Sequence, residues 1–69
     1  MSKFEFQVGV HDGLIVVLES RSHFYAIYGK SQDQRRLLLE RRRPTKDYRL
    51  VDKARQAANA KARELGWIV

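Results

Sequence analysis

The chain predicts an α+β fold: an antiparallel β-meander of three to four strands with one C-terminal helix packed on one face, in two layers. Three observations carry this. Phe4, Phe6, Val8 and Val10 alternate with Lys3, Glu5, Gln7 and Gly9, the period of two of a half-buried strand. Asp12-Gly13 follows at once, a dipeptide favoured in type I′ hairpin turns because both central residues need positive φ. Near the other end, Leu50, Val51, Ala54, Ala57, Ala58, Ala62 and Leu65 share one arc of a helix, with Lys53, Arg55, Gln56, Asn59 and Arg63 opposite.

The elements follow in order. Strands are expected over about residues 3–10, 14–19, 23–29 and 35–42, and a helix over about 48–65. Ser20-Arg21-Ser22 reads as a turn and Gly29 closes the third strand. The fourth element is ambiguous. Ser31 with Gln34 has the form of a capping box, and Gln, Arg, Leu and Glu are good helix formers. Against a helix, Leu37-Leu38-Leu39 has no apolar residue a turn before or after it. The strand is favoured, with Leu37 and Leu39 inward and Arg36, Leu38, Glu40 and Arg42 outward. Pro44 ends it, having no amide hydrogen and restricting Arg43 before it. Thr45 or Asp47 can cap the helix. Gly66 suits its left-handed end, with Trp67 folding back on the last turn.

The helix's inner arc is mostly alanine, so the strands must supply the bulk of the core. Phe4, Phe6, Val8, Val16 and Leu18 are expected to do so. The second strand is apolar on both faces, and one helix covers only one. The uncovered face is then expected to carry Ile15 and Val17 with aromatics near them. Ile15, Val17, Phe24 and Tyr28 are thus the candidate protein interface.

Sixty-nine residues make one small domain, 1–69, with little room for a deep pocket. The absence of cysteine excludes disulfides and thiolate metal sites. The longest apolar run, Leu14 to Leu18, is far short of the ~20 residues a spanning helix needs. No signal-peptide pattern is readable. These features predict a soluble cytoplasmic protein with no membrane contact.

The formal charge of +6 is unevenly placed. Residues 1–34 carry three basic and four acidic side chains; residues 35–69 carry eleven and four. That asymmetry suggests nucleic acid or another acidic partner. The candidate phosphate contacts are Arg35, Arg36, Arg41, Arg42, Arg43 and Lys46, with Lys53, Arg55 and Arg63 adding field. The plainer reading is a charged edge strand, since edges use charge to block edge-to-edge pairing. In a strand, moreover, Arg42 points away from Arg41 and Arg43.

Nothing points to catalysis. His11 and His23 sit at strand ends with no third ligand. Asp12, Asp33, Asp47 and Asp52 fall where turns and helix starts favour Asp. Glu19, Glu40 and Glu64 show no partner geometry, and no nucleophile elbow or phosphate loop is present. The aromatics Phe24, Tyr25 and Tyr28 fit core and half-core positions better than a base-stacking platform. The expectation is a non-enzyme with no cofactor, no metal and no small-molecule substrate. Its best reading is nucleic-acid or polyanion binding through the basic second half. The alternative is protein interaction or homodimerisation through the open sheet face.

The closing block ANAKARELGWIV, with RRPTKDYRLVDKARQA before it, resembles small bacterial proteins of unassigned function that end in a similar helix and Gly-Trp-Ile tail. The resemblance spans about residues 24–69 and implies no activity and no site residues. The architecture alone is similar to the sheet-reading DNA-binding domains of integrases and plant AP2-type factors. In those, the face away from the helix enters the major groove, but no matching Arg and Trp pattern stands on these strands.

Overall fold

The structure is a computed structural model that describes residues 4–32 and 36–68. Four strands form one antiparallel sheet in the order β1-β2-β3-β4, and a single helix packs across it. The strands are β1 (Phe6–His11), β2 (Leu14–Glu19), β3 (Phe24–Lys30) and β4 (Leu37–Arg42); the helix α1 is Tyr48–Leu65. The leucine triplet is therefore in a strand. Gln34, the far half of the alternative capping box, lies outside the described residues, as does Arg35.

The first hairpin sets everything that follows. Asp12 has φ 51° and Gly13 φ 74°, the positive pair of a type I′ turn. A two-residue turn leaves no slack, so His11 stands opposite Leu14, Val10 opposite Ile15, Val8 opposite Val17 and Phe6 opposite Glu19. Directly opposed residues share a face. Phe6, Val8 and Val10 therefore stand with Ile15, Val17 and Glu19. On β3 the same face continues through Phe24, Ala26 and Tyr28.

That face lies under α1, and this corrects the expected one. Ile15, Val17, Phe24 and Tyr28 do share a side, but it is the core: they are 0%, 0%, 2% and 5% exposed. They are not an interface. Val16 and Leu18, expected inside, point to the uncovered face, where Leu18 is 47% exposed. The physical reason is the register. The N-terminal aromatics must bury, and the two-residue turn ties Phe6 and Val8 to the odd-numbered residues of β2.

On α1, Leu50, Ala54, Ala58 and Ala62 are the buried row, four residues apart on one stripe. The three alanines have no exposed surface, so the helix backbone sits close to the sheet. Val51 and Ala57 flank the row half-buried, whereas Leu65 remains exposed. Asp47 caps the helix by accepting the Arg49 N–H at 3.0 Å, and Thr45 Oγ1 accepts the Asp47 N–H. At the other end Gly66 adopts φ 77°. Its N–H donates to the Arg63 carbonyl, and the Trp67 N–H donates to that of Ala62 at 2.8 Å, a Schellman closure. Trp67 then reaches β3, where Lys30 Nζ lies 4.7 Å from the ring centroid.

β4 departs from strict alternation. Tyr28 faces Leu39 but Ile27 faces Arg41, so Glu40 is an extra residue in a bulge. Leu37 and Leu39 face the helix layer, as the alternation predicts. Beyond the bulge the parity flips. Arg41 now lies with Ile27 on the open face and Arg42 lies opposite Ala26 on the helix side, half-buried. The expected outward Arg42 is corrected by that one inserted residue.

Candidate functional site

The sheet face away from α1 presents a contiguous set of apolar side chains. β2 contributes Leu14, Val16 and Leu18, β3 contributes Tyr25 and Ile27, and β4 contributes Leu38. No charged side chain stands on this face of β2 or β3. Its rims are polar: Gln7 and His11 along β1, Glu40 and Arg41 along β4. Glu40 folds back over β3, so that a Cβ at Gly29 would stand 2.9 Å from its Oε2. A solvated antiparallel face ordinarily alternates to polar residues. Here the two central strands carry apolar residues on both sides, with Glu19 and Lys30 at their ends.

The expected arginine cluster does not form one patch. Arg36 precedes β4, Arg41 points to the open face, and Arg42 points to the helix side. Arg43 is tied to β3: its N–H donates to the Tyr25 carbonyl and its guanidinium to the His23 carbonyl at 3.3 Å. On α1 several cations are already engaged. Arg49 makes a forked contact to Asp47, both bonds 3.1 Å, and lies over the Phe4 ring. That guanidinium holds the Asp47 carboxyl below the ordinary carboxylate range. Arg55 meets Asp52 at 3.3 Å and Lys61 meets Glu64 at 3.4 Å. Lys46, Lys53 and Arg63 have no such partner among the described residues. The basic excess therefore belongs to the helix layer and the sheet rim rather than to a compact site.

Glu19 is the residue that the pattern of charges hid. It is 1% exposed, on the core side of β2. Its Oε2 accepts the Glu5 N–H at 2.6 Å, and its Oε1 accepts both the N–H and the hydroxyl of Ser22 at 2.8 Å. Ser22 Oγ in turn accepts the Phe24 N–H at 3.3 Å. One carboxylate thus pins the start of the chain to the β2–β3 turn. Burial pushes its pKa up, but the Glu5 amide, Ser22 and the Arg21 amide outweigh this and hold it at about 2. The readable signal was Glu-Ser-Arg-Ser on the parity of Ile15 and Val17.

A stability prediction follows. The folded pKa lies below the ordinary 4.5. The contribution of Glu19 is therefore complete above that value and is lost as pH falls from 4.5 toward 2. Urea midpoints measured across that window should drop, and Glu19→Gln should be less stable at neutral pH with a shallower acid slope. An unchanged slope in the variant would remove Glu19 as the cause.

His11 contacts only the neighbouring Asp12, at 3.3 Å and in solvent. Among the described residues no three His, Asp or Glu side chains are placed to hold a metal ion, and no helix is long and apolar enough to cross a membrane. No family model, curated protein or solved structure matches the chain.

Proposed function

We propose that the chain is a non-enzymatic interaction module that associates with a second copy of itself through the open sheet face. The observation that carries this reading is the apolar set Leu14, Val16, Leu18, Tyr25, Ile27 and Leu38, crossed at Gly29 by the Glu40 side chain reaching in from the β4 rim. Contiguous exposed apolar surface of this kind marks a contact. Charge placement favours a like partner. The helix layer bears the basic excess, with five basic and two acidic residues on α1 alone. Two copies meeting sheet to sheet keep those layers on the outside. The rim supplies both signs, Glu40 beside Arg41, for a two-fold contact in which each meets its opposite.

The size of the face limits the affinity. Four strands at ~4.8 Å and six residues at ~3.3 Å span about 400 Å². That is below the roughly 800 Å² per partner of a standard interface. A micromolar or weaker dimer is the expectation. Sedimentation velocity from about 10 μM to about 1 mM should show the mass rising from 8.1 kDa toward twice that. Val16→Asp should stay at 8.1 kDa with an unchanged circular dichroism spectrum. A constant 8.1 kDa for the parent chain would overturn the reading.

A second reading keeps nucleic acid as the partner, supported by the unpaired Lys46, Lys53 and Arg63 and by Arg41 at the rim. It makes phosphate contacts and little base readout, because β2 offers only Leu14, Val16 and Leu18 to the open face. Its mark is affinity that falls steeply with salt.

A further inference from the structure

α1 lies chiefly over β1, β2 and β3 and reaches β4 least. A groove of about 560 Å³ is left between the helix and the helix-facing side of β4. Its floor is Leu37, Leu39, Val51 and Tyr28, and Arg36 and Arg55 stand at its walls. Leu39 is 48% exposed there. Burial pushes the Tyr28 phenol above its ordinary pKa, while Arg55 and Arg42 close by pull it down. The groove therefore has an apolar base within the field of three guanidinium groups. Asp52, the acidic residue among those lining it, is already bonded to Arg55.

β4 is also an edge strand, with no neighbour beyond it among the described residues. Leu37 and Leu39 of that strand line the groove. An edge strand beside a helix-walled groove is the arrangement in which an extended peptide adds as a further strand. Main-chain hydrogen bonds then give affinity, and alternate side chains enter the groove.

We propose that the β4 edge and the β4–α1 groove bind an extended acidic peptide by strand addition. Its groove-facing side chains are apolar at the centre, against Leu37 and Leu39. Carboxylates at its ends meet Arg36 before β4 and Arg42 at its close. The charge of the site selects the partner: a basic or second β4 strand would bring like charges together along this edge. The groove is on the opposite layer from the open sheet face, so the two contacts are independent and can fail separately.

The test uses the whole chain and a fluorescein-labelled peptide Glu-Ser-Val-Ser-Val-Ser-Glu, whose alternate residues put two valines between two glutamates on one face. Three competitors are compared: the lysine version, the same acidic peptide N-methylated on every backbone nitrogen, and a short DNA duplex. Anisotropy should show micromolar binding of the acidic peptide only. Arg36→Glu and Arg42→Glu, each folded by circular dichroism, should weaken it about tenfold or more, equivalent to ~1.4 kcal/mol. Amide shifts should cluster on residues 36–42 and on Val51, Arg55 and Asn59. Equal competition by the N-methylated peptide would leave general charge attraction and overturn strand addition. Stronger competition by the duplex with the same shifts would assign the site to nucleic acid. Shifts on Leu37–Arg42 that grow with protein concentration and no peptide would assign the edge to a second copy.

Discussion

Ile15→Asp should abolish folding, and Val16→Asp, one residue along, should not. Ile15 has no exposed surface and lies between Val10 and Tyr28 across the sheet, under α1. Removing it forfeits about 1.5–3 kcal/mol of apolar burial, and an unpaired carboxylate in its place costs several kcal/mol more. A chain of this length has about 3–10 kcal/mol in total. Val16 is half-buried on the uncovered face, where a carboxylate stays in water and the penalty is at most about the ~1 kcal/mol span of strand propensities. Far-ultraviolet circular dichroism with thermal melts separates the two outcomes. An unfolded Val16→Asp beside a folded Ile15→Asp would reverse the assignment of faces on which everything else rests.

Phe24→Ala should cost about 3–5 kcal/mol, the usual range for an aromatic removed from a core. The ring is 2% exposed and stands opposite Glu19 at the turn that the carboxylate organises. The helix above it is held near the sheet by Ala54, Ala58 and Ala62 and has no long side chain on that row to fill the space except Leu50. At roughly 4–8 °C per kcal/mol for a domain of this size, the melting midpoint should fall by about 12–40 °C. Tyr25→Ala, the neighbour on the open face, should lower it by only a few degrees. Equal losses at the two positions would mean that the two faces are packed alike.

The contrast between those neighbours shows where the sequence was legible. Alternation in β1, the Asp12-Gly13 turn and the small-residue stripe of α1 are local signals, and local physics was enough for those elements, whereas β4 kept a competing helix reading. The Schellman end at Gly66 was readable for the same reason, because only the backbone conformation of one residue is at stake. The choice of face was a long-range matter. It needed the turn length to be carried through as a register: two turn residues place Val8 opposite Val17 and so put β1's aromatics with Ile15, not with Val16. That step was available from the sequence.

Other features were not available from pattern alone. The bulge at Glu40 sends Arg42 to the helix side and leaves Arg41 on the open face, and no turn residue announces it. That Arg42 points away from Arg41 follows from strand alternation alone, but the bulge decides which face each takes, and the Arg43 contact to His23 is a matter of the fold. Glu19 was hard to read because two of its partners are the backbone amides of Glu5 and Ser22, and only the Ser22 hydroxyl, three residues on, shows in the sequence. A charge excess is easy to count, but how many of the charges are free depends on ion pairs such as Arg49 with Asp47 that only the fold brings together.

The most direct test of the proposed self-association is an isotope-filtered nuclear Overhauser experiment on a mixture of labelled and unlabelled chain at millimolar concentration. Intermolecular contacts should arise from the methyl groups of Leu14, Val16, Leu18, Ile27 and Leu38 and from the Tyr25 ring, and they should vanish in Val16→Asp. Intermolecular contacts confined to other surfaces, or none at that concentration, would contradict the account.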